Sequence, residues 1–221
     1  QESRGLGYVY KRKEFAKRGA KLVIASRKLD ECQKVAAEVV AQGGEALALS
    51  CHVGQWDSLS DVIDQVVDHF GRIDVLVNNA GMSPVAPSLL ETSELLFDKI
   101  IGVNLKGPTR LTALAEDQMA KTGGGSIINI ASVSVIRPSP GTAAYGAAKA
   151  GMVNFSSSVA IEWAPKVRVN AVIAGLVRTE QAELHYGDEA GIEAVGRTIP
   201  LGRMAQPQDI GDACLFLASS I

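Results

Sequence analysis

Three residues in the second half of the chain have the types and spacing for proton chemistry at a carbon–oxygen bond. Tyr145-Gly-Ala-Ala-Lys149 sets a phenol and an ammonium four positions apart. On a helix, positions i and i+4 share a face. Ser132 stands 13 positions before the tyrosine, at the end of an apolar run. A carbonyl that is being reduced gathers negative charge on its oxygen and needs a proton there. A free phenol titrates near ~10, too high for efficient acid–base work at neutral pH. A nearby cation favours the phenolate, so Lys149 is expected to lower the titration of Tyr145. Ser132 can hydrogen-bond the carbonyl oxygen and hold it in place. Ser134 competes for that role, because residues two apart on an extended segment share a face. The spacing to Tyr145 favours Ser132.

The elements that must position these groups alternate between strand and helix. Lys21–Ser26 is an apolar run rich in branched residues and reads as a buried strand. A helix follows to about Gln42, where Gly43 and Gly44 stop it. Glu45–Cys51 is expected as a strand, Asp61–Phe70 as an amphipathic helix and Ile73–Val77 as a strand. One long helix is expected over Glu94–Lys121, then a strand over Ser126–Ala131. Ala144–Trp163 reads as a helix, Val167–Ile173 as a strand, and Gln208–Ser219 as a last helix. Strands joined by crossover helices imply an α/β fold, a doubly wound parallel sheet with helices on both faces. Such sheets bind ligands at the carboxyl ends of their strands. No linker, repeat or low-complexity stretch interrupts the pattern, and residues 1–221 are expected to form one domain.

Composition narrows the function. The 221 residues carry a formal charge of −2. That leaves no basic footprint for nucleic acid or for a membrane surface. The basic run Lys11-Arg12-Lys13 reads as a solvated helix face. Cys32, Cys51 and Cys214 are scattered and give no disulfide framework, which suits a reducing compartment. Cys51 and His52 are adjacent without a ligand cluster around them, so no metal site is expected. No run approaches the roughly 20 apolar residues of a membrane span. A soluble, cytoplasmic protein is the expectation.

The tyrosine, lysine and serine stand among further ordered motifs. Asn78-Asn79-Ala80-Gly81 follows the third expected strand, and Asn104 lies in Val103-Asn104-Leu105. Ala174-Gly175-Leu176-Val177-Arg178-Thr179 follows a later strand. Pro200-Leu201-Gly202-Arg203 precedes Pro207-Gln208-Asp209-Ile210. Ser3-Arg4-Gly5-Leu6-Gly7 has the form of a glycine-rich turn. In this order the motifs resemble those of the short-chain dehydrogenases/reductases, from about residue 3 to the end. The resemblance implies a Rossmann-like fold and hydride transfer between a nicotinamide cofactor and a carbonyl or alcohol. It implies Ser132, Tyr145, Lys149 and Asn104 as catalytic residues, with Asn104 supporting a proton-relay water. It assigns Ser3, Arg4, Gly5, Leu6, Gly7, Arg27, Val53, Asn79, Ala80, Gly81, Gly175, Val177 and Thr179 to the cofactor, together with Tyr145 and Lys149. Glycines let the backbone approach the pyrophosphate at a helix N-terminus.

The identity of the cofactor turns on the end of the first expected strand. An acidic residue there suits the ribose hydroxyl of NAD, and an arginine suits the extra phosphate of NADP. The strand ends Ala25-Ser26-Arg27-Lys28, and no carboxylate comes before Asp30. With Arg4 in the glycine turn, two guanidinium forks are available for phosphate. NADP(H) is favoured over NAD(H).

The chain also departs from the pattern it resembles. Gln1 falls where the first glycine of the turn belongs, and the strand before it is missing. Losing a central strand would expose the edges of both neighbours. A last strand would follow Ile221, so a fragment of a longer chain is expected. Tyr8–Lys13 departs from the first helix of the family. Ala174 replaces a common proline and is expected to loosen its loop; His52 replaces an aspartate that contacts adenine. The substrate pocket is expected from 82–89, 136–142 and 180–200, without a convergent charge cluster, for a neutral or mostly apolar ketone or alcohol. An acyl thioester ketone is one option. A homo-tetramer or homo-dimer through the two long helices is implied. A catalytically silent nucleotide-binding relative is the alternative, and a sugar-nucleotide epimerase is disfavoured because the chain has no room for a second lobe.

Overall fold

The computed structural model describes residues 15–138, 140–179, 182 and 186–219. Five strands and seven named helices follow the expected alternation. They are β1 (Leu22–Ser26), α1 (Leu29–Ala41), β2 (Ala46–Ser50), α2 (Leu59–Phe70), β3 (Val75–Asn78), α3 (Glu94–Ile101), α4 (Gly107–Lys121), β4 (Gly125–Ser132), α5 (Ala143–Glu162), β5 (Val167–Ala174), α6 (Glu189–Arg197) and α7 (Pro207–Ala218). Short 3-10 turns occupy Trp56–Ser58 and Val133–Val135.

All strand pairs are parallel. The described strands form two sheets, β1–β2 and β3–β4–β5, where one sheet was expected. No described strand bridges β1 to β3, and that is where the first strand of the expected fold belongs. None is described after β5. Residues 1–14, with the glycine turn and the basic run, lie outside the described residues.

Alternation along β4 explains why helices cover both faces. Successive strand side chains point to opposite faces. Ile127 packs on one side with Val62, Ile63 and Val66 of α2, Ala115 and Met119 of α4 and Val159 of α5. Ile128 and Ile130 pack on the other with Ile210 and Cys214 of α7. Ile24 of β1 meets Cys32, Val35 and Ala36 of α1. Two helical layers enclosing parallel strands make the Rossmann-like α/β fold.

The long helix expected over residues 94–121 is not continuous. Between α3 and α4, Gly102–Lys106 winds as a π-helix, and the N–H of Gly107 reaches back to the carbonyl of Gly102. Asn104 sits in the middle of this wide turn. Such single π turns mark functional sites more often than chance allows. Immediately afterwards α4 passes Val53 so closely that a Cβ on Gly107 would lie 1.8 Å from the Val53 carbonyl oxygen. Only glycine fits that crossing. Gly107→Ala should therefore cost about 3 kcal/mol or more, read as a lowered urea midpoint; an unchanged midpoint would show that the crossing relaxes freely.

Candidate active site

Strand β4 and helix α5 bring the chemistry-bearing side chains together. β4 ends on Ser132, and the chain turns there into the 3-10 segment Val133–Val135. Ser134 therefore does not continue the extended strand, as the two-residue spacing had suggested. The Ser134 amide donates to Ser132 Oγ at 3.2 Å, and the two hydroxyls lie 3.1 Å apart. Ser132, rather than Ser134, hydrogen-bonds the Tyr145 phenol.

Helix α5 buries a seam that includes Ala144, Ala148, Lys149, Met152, Ser156 and Val159. Tyr145 and Lys149 lie on it one turn apart, and Lys149 Nζ sits 5.9 Å from the centroid of the Tyr145 ring. The ammonium is nearly enclosed, with 4% of the residue exposed. It donates to the Ile130 carbonyl at 2.8 Å. Among the described residues it forms no ion pair. Burial therefore pulls its pKa down to about 8.

Tyr145 behaves differently from the expectation. Burial pushes its phenol above the usual value, and the Ser132 hydrogen bond offsets only part of the rise. The expected lowering by Lys149 is not what this geometry gives. Enclosure penalises the charged forms of both groups, and for the phenol this outweighs the help of its neighbours.

The other expected residues fall around this pair. Asn104 is fully buried. Its Nδ2 donates to the Met82 carbonyl at 2.8 Å and to Ile100 at 3.0 Å, while Oδ1 accepts from the Met82 amide at 3.2 Å. The side chain is thus committed to clamping the loop after β3. Gly81 fits between these groups. A Cβ there would stand 3.0 Å from Asn104 Oδ1 and 3.6 Å from Lys149 Nζ. Asn79 is half-buried, and Ala80 and Gly81 are exposed at the carboxyl end of β3. Gly175, Val177 and Thr179 follow β5, with Val177 bridged to Ala205. Ala174 does not loosen its loop: it extends β5 by one rung, opposite Ser132, because alanine keeps the N–H that proline lacks.

Arg27 is exposed beyond the end of β1 and lines a cleft of about 330 Å³ with Ser50, His52 and Gln55. The His52 Nδ1 accepts the Gly54 amide at 3.1 Å. Val53, buried beneath, is the residue that α4 crosses. Ser3, Arg4, Gly5, Leu6 and Gly7 lie outside the described residues.

A smaller pocket of about 60 Å³ lies at the start of α5, between Pro84, Ala86, Leu89, Leu96, Ile100 and Ala144. Two of the three segments expected to form it do so. The Ala86 amide donates to the Gly141 carbonyl at 2.9 Å and ties them together. The contribution of α3, through Leu96 and Ile100, and of Thr92 just before it, was missed because the unbroken helix hid the bend at its end. The third segment packs separately, with Ala182, Ile192 and Met204 as its core.

The fold and these motifs match proteins of known kind. A family model described as enoyl-(acyl carrier protein) reductase matches residues 2–221. Human dehydrogenase/reductase SDR family member 4 is 31% identical over 216 residues, covering 97% of this chain and 77% of that protein. A 3-oxoacyl-[acyl-carrier-protein] reductase of Thermotoga maritima is 36% identical, covering 93% and 82%. The crystal structure of a short-chain type dehydrogenase/reductase from Mycobacterium marinum superposes with a TM-score of 0.87 at 34% identity, covering 97% and 84%. The chain belongs to the short-chain dehydrogenase/reductase family. Short-chain dehydrogenases/reductases are NAD(P)-dependent oxidoreductases that act on CH–OH and C=O groups of small molecules, and they are commonly oligomeric. No described helix of this member is long and apolar enough to cross a membrane.

The burial of Lys149 makes a pH prediction. Its folded-state pKa lies below the ordinary value of 10.5, so between about 8 and 10.5 the unfolded chain holds more protons and stability rises with pH. Lys149→Met should be the more stable protein at pH 7, by up to about 3 kcal/mol. That advantage should shrink toward pH 10. Urea unfolding at both pH values checks it, and a pH-independent difference would contradict the burial cost.

Proposed function

We propose that this short-chain dehydrogenase/reductase interconverts a neutral, mostly apolar ketone and its alcohol, with NADP(H) preferred over NAD(H). The observation that carries the reading is the Ser132–Tyr145–Lys149 cluster at the meeting of β4 and α5. The residues present fit a nicotinamide cofactor. Lys149 is a buried cation without an acidic partner among the described residues, beside a glycine that leaves the space next to it open. When bound, that cofactor supplies or accepts the hydride.

The chain's own residues do the rest. Ser132 orients the carbonyl oxygen. Tyr145 gives a proton to that oxygen during reduction and removes it from the alcohol during oxidation. Lys149, held on the Ile130 carbonyl, would offer its positive charge to the cofactor. Asn104 holds the Gly81–Met82 loop, and its carbonyl supports a water that returns the proton. Val53, Asn79, Ala80 and Gly81 would line the cofactor, Gly175, Val177 and Thr179 would face its carboxamide, Ser3, Gly5, Leu6 and Gly7 its pyrophosphate, and Arg27 with Arg4 the extra phosphate of NADP. A guanidinium at the strand end without a competing carboxylate supports NADP.

The small pocket, which has no charged residue in its lining, supports this substrate class. Val85, Leu89, Leu90 and Ile136 stand exposed near it. The relatives that act on acyl carrier protein thioesters make an acyl ketone a natural member of this class. A single domain assembled as a homo-dimer or homo-tetramer, in the cytoplasm, completes the reading.

Two measurements test it. NADPH should quench or enhance intrinsic fluorescence at lower concentration than NADH. Arg27→Asp should weaken NADPH at least tenfold, about 1.4 kcal/mol, while sparing NADH; equal losses would remove the phosphate role. Tyr145→Phe should lower NADPH-dependent ketone reduction by roughly 10²–10⁴-fold. Unchanged turnover would assign the proton to another group, and cofactor binding without turnover of any ketone would favour the catalytically silent alternative.

A further inference from the structure

A chain of buried amides and hydroxyls runs beneath the site without touching it. Asn78 and Asn129 face each other as register partners on β3 and β4. Asn78 Nδ2 donates to Asn129 Oδ1 at 2.8 Å and to Thr112 Oγ1 of α4 at 2.8 Å. Asn129 Nδ2 donates to Ser156 Oγ at 2.9 Å, and Ser156 donates onward to the Met152 carbonyl at 2.7 Å. Asn129 and Thr112 are fully buried, and Ser156 nearly so. From Asn78 through Asn129 and Ser156 to the Met152 carbonyl the donors run head to tail, so these bonds polarise one another.

The placement of this row matters more than its strength. Asn129 lies beside Ile130, whose carbonyl holds Lys149, and three residues before Ser132. Ser156 lies two turns beyond Lys149 on the same buried seam of α5. Helix α5 is thus pinned to β4 twice, by Lys149 on Ile130 and by Ser156 on Asn129, about 10 Å apart along the helix axis. Lys149 is itself one of the reacting cluster and cannot hold its own helix still while its protonation changes. The rest of the seam is alanine, methionine and valine, which can slide past β4 without losing a directional contact. Outside the reacting cluster, Ser156 on Asn129 is the directional contact described between this seam and β4.

We infer that Asn129 and Ser156 are positioning residues, which lock the register of α5 on β4 and so fix Tyr145 against Ser132. The inference rests on the catalytic reading above. Neither residue touches the reacting atoms. Their loss acts by letting α5 shift, which weakens the hydrogen bond between Tyr145 and Ser132.

The direction of the effect follows. The Ser132 hydrogen bond is the influence that lowers the Tyr145 phenol against the rise caused by burial. Releasing α5 therefore raises the phenol further. Ser156→Ala removes one hydroxyl and leaves the helix intact, and Ser156→Thr keeps the hydroxyl. In the unliganded protein, spectrophotometric titration of tyrosinate with Tyr145→Phe as the blank isolates this phenol from Tyr8, Tyr10 and Tyr186.

Ser156→Ala should move the Tyr145 titration up by about half a unit or more. It should lower kcat for ketone reduction about tenfold, with little change in KM. Ser156→Thr should restore both. Asn129→Asp, which cannot donate to Ser156, should resemble Ser156→Ala where it folds. A Ser156→Ala protein with lower thermal stability but an unmoved Tyr145 titration would overturn the inference and leave the row a merely structural one. If the unaltered protein reduces no ketone, the catalytic reading fails, while the titration still decides whether the row sets the phenol.

Discussion

Everything at the site depends on how helix α5 rests on strand β4. A parallel strand buried on both faces offers its neighbours apolar side chains, which give cohesion without direction. Direction comes from the few polar contacts across that boundary. Lys149 reaches the Ile130 carbonyl, Tyr145 meets Ser132, and Ser156 takes the amide of Asn129. Each joins a helix side chain to a fixed strand position. The sites of β3 and β5 are then placed relative to the same strand, because both pair with β4 in parallel register.

Burial is the second constraint, and it works against charge. Lys149 and Tyr145 are both enclosed enough that their neutral forms are favoured. A cluster built for proton transfer gains from this: neither group is fixed in one protonation state by an ion pair, and each answers to whatever negative charge arrives beside it. The cost is stability that the apolar layers around Ile127 and Ile128 must offset.

Much of this was legible in the residues. Period and punctuation located every described strand within two residues, because apolar branched runs between glycines admit few other conformations. The Tyr145–Lys149 spacing and Ser132 were readable because each is a side chain of unusual type in an apolar setting. What escaped had physical reasons. The π turn at Gly102–Lys106 differs from an α-helix by one residue of winding and leaves no mark on apolar periodicity. The direction of the Tyr145 shift depends on enclosure, which spacing does not measure. The Asn78–Asn129–Ser156 row joins residues 51 and 27 positions apart, and such a contact emerges only once β3, β4 and α5 are side by side.

The bond between the Ala86 amide and the Gly141 carbonyl fastens together two loops that line the small pocket, one of them turning at Gly141 with φ of +75°. Ser132, Tyr145 and Lys149 belong instead to β4 and α5. Lengthening, shortening or recolouring those loops reshapes what can enter while the reacting groups keep their places. A scaffold divided in this way can change diet without relearning its chemistry.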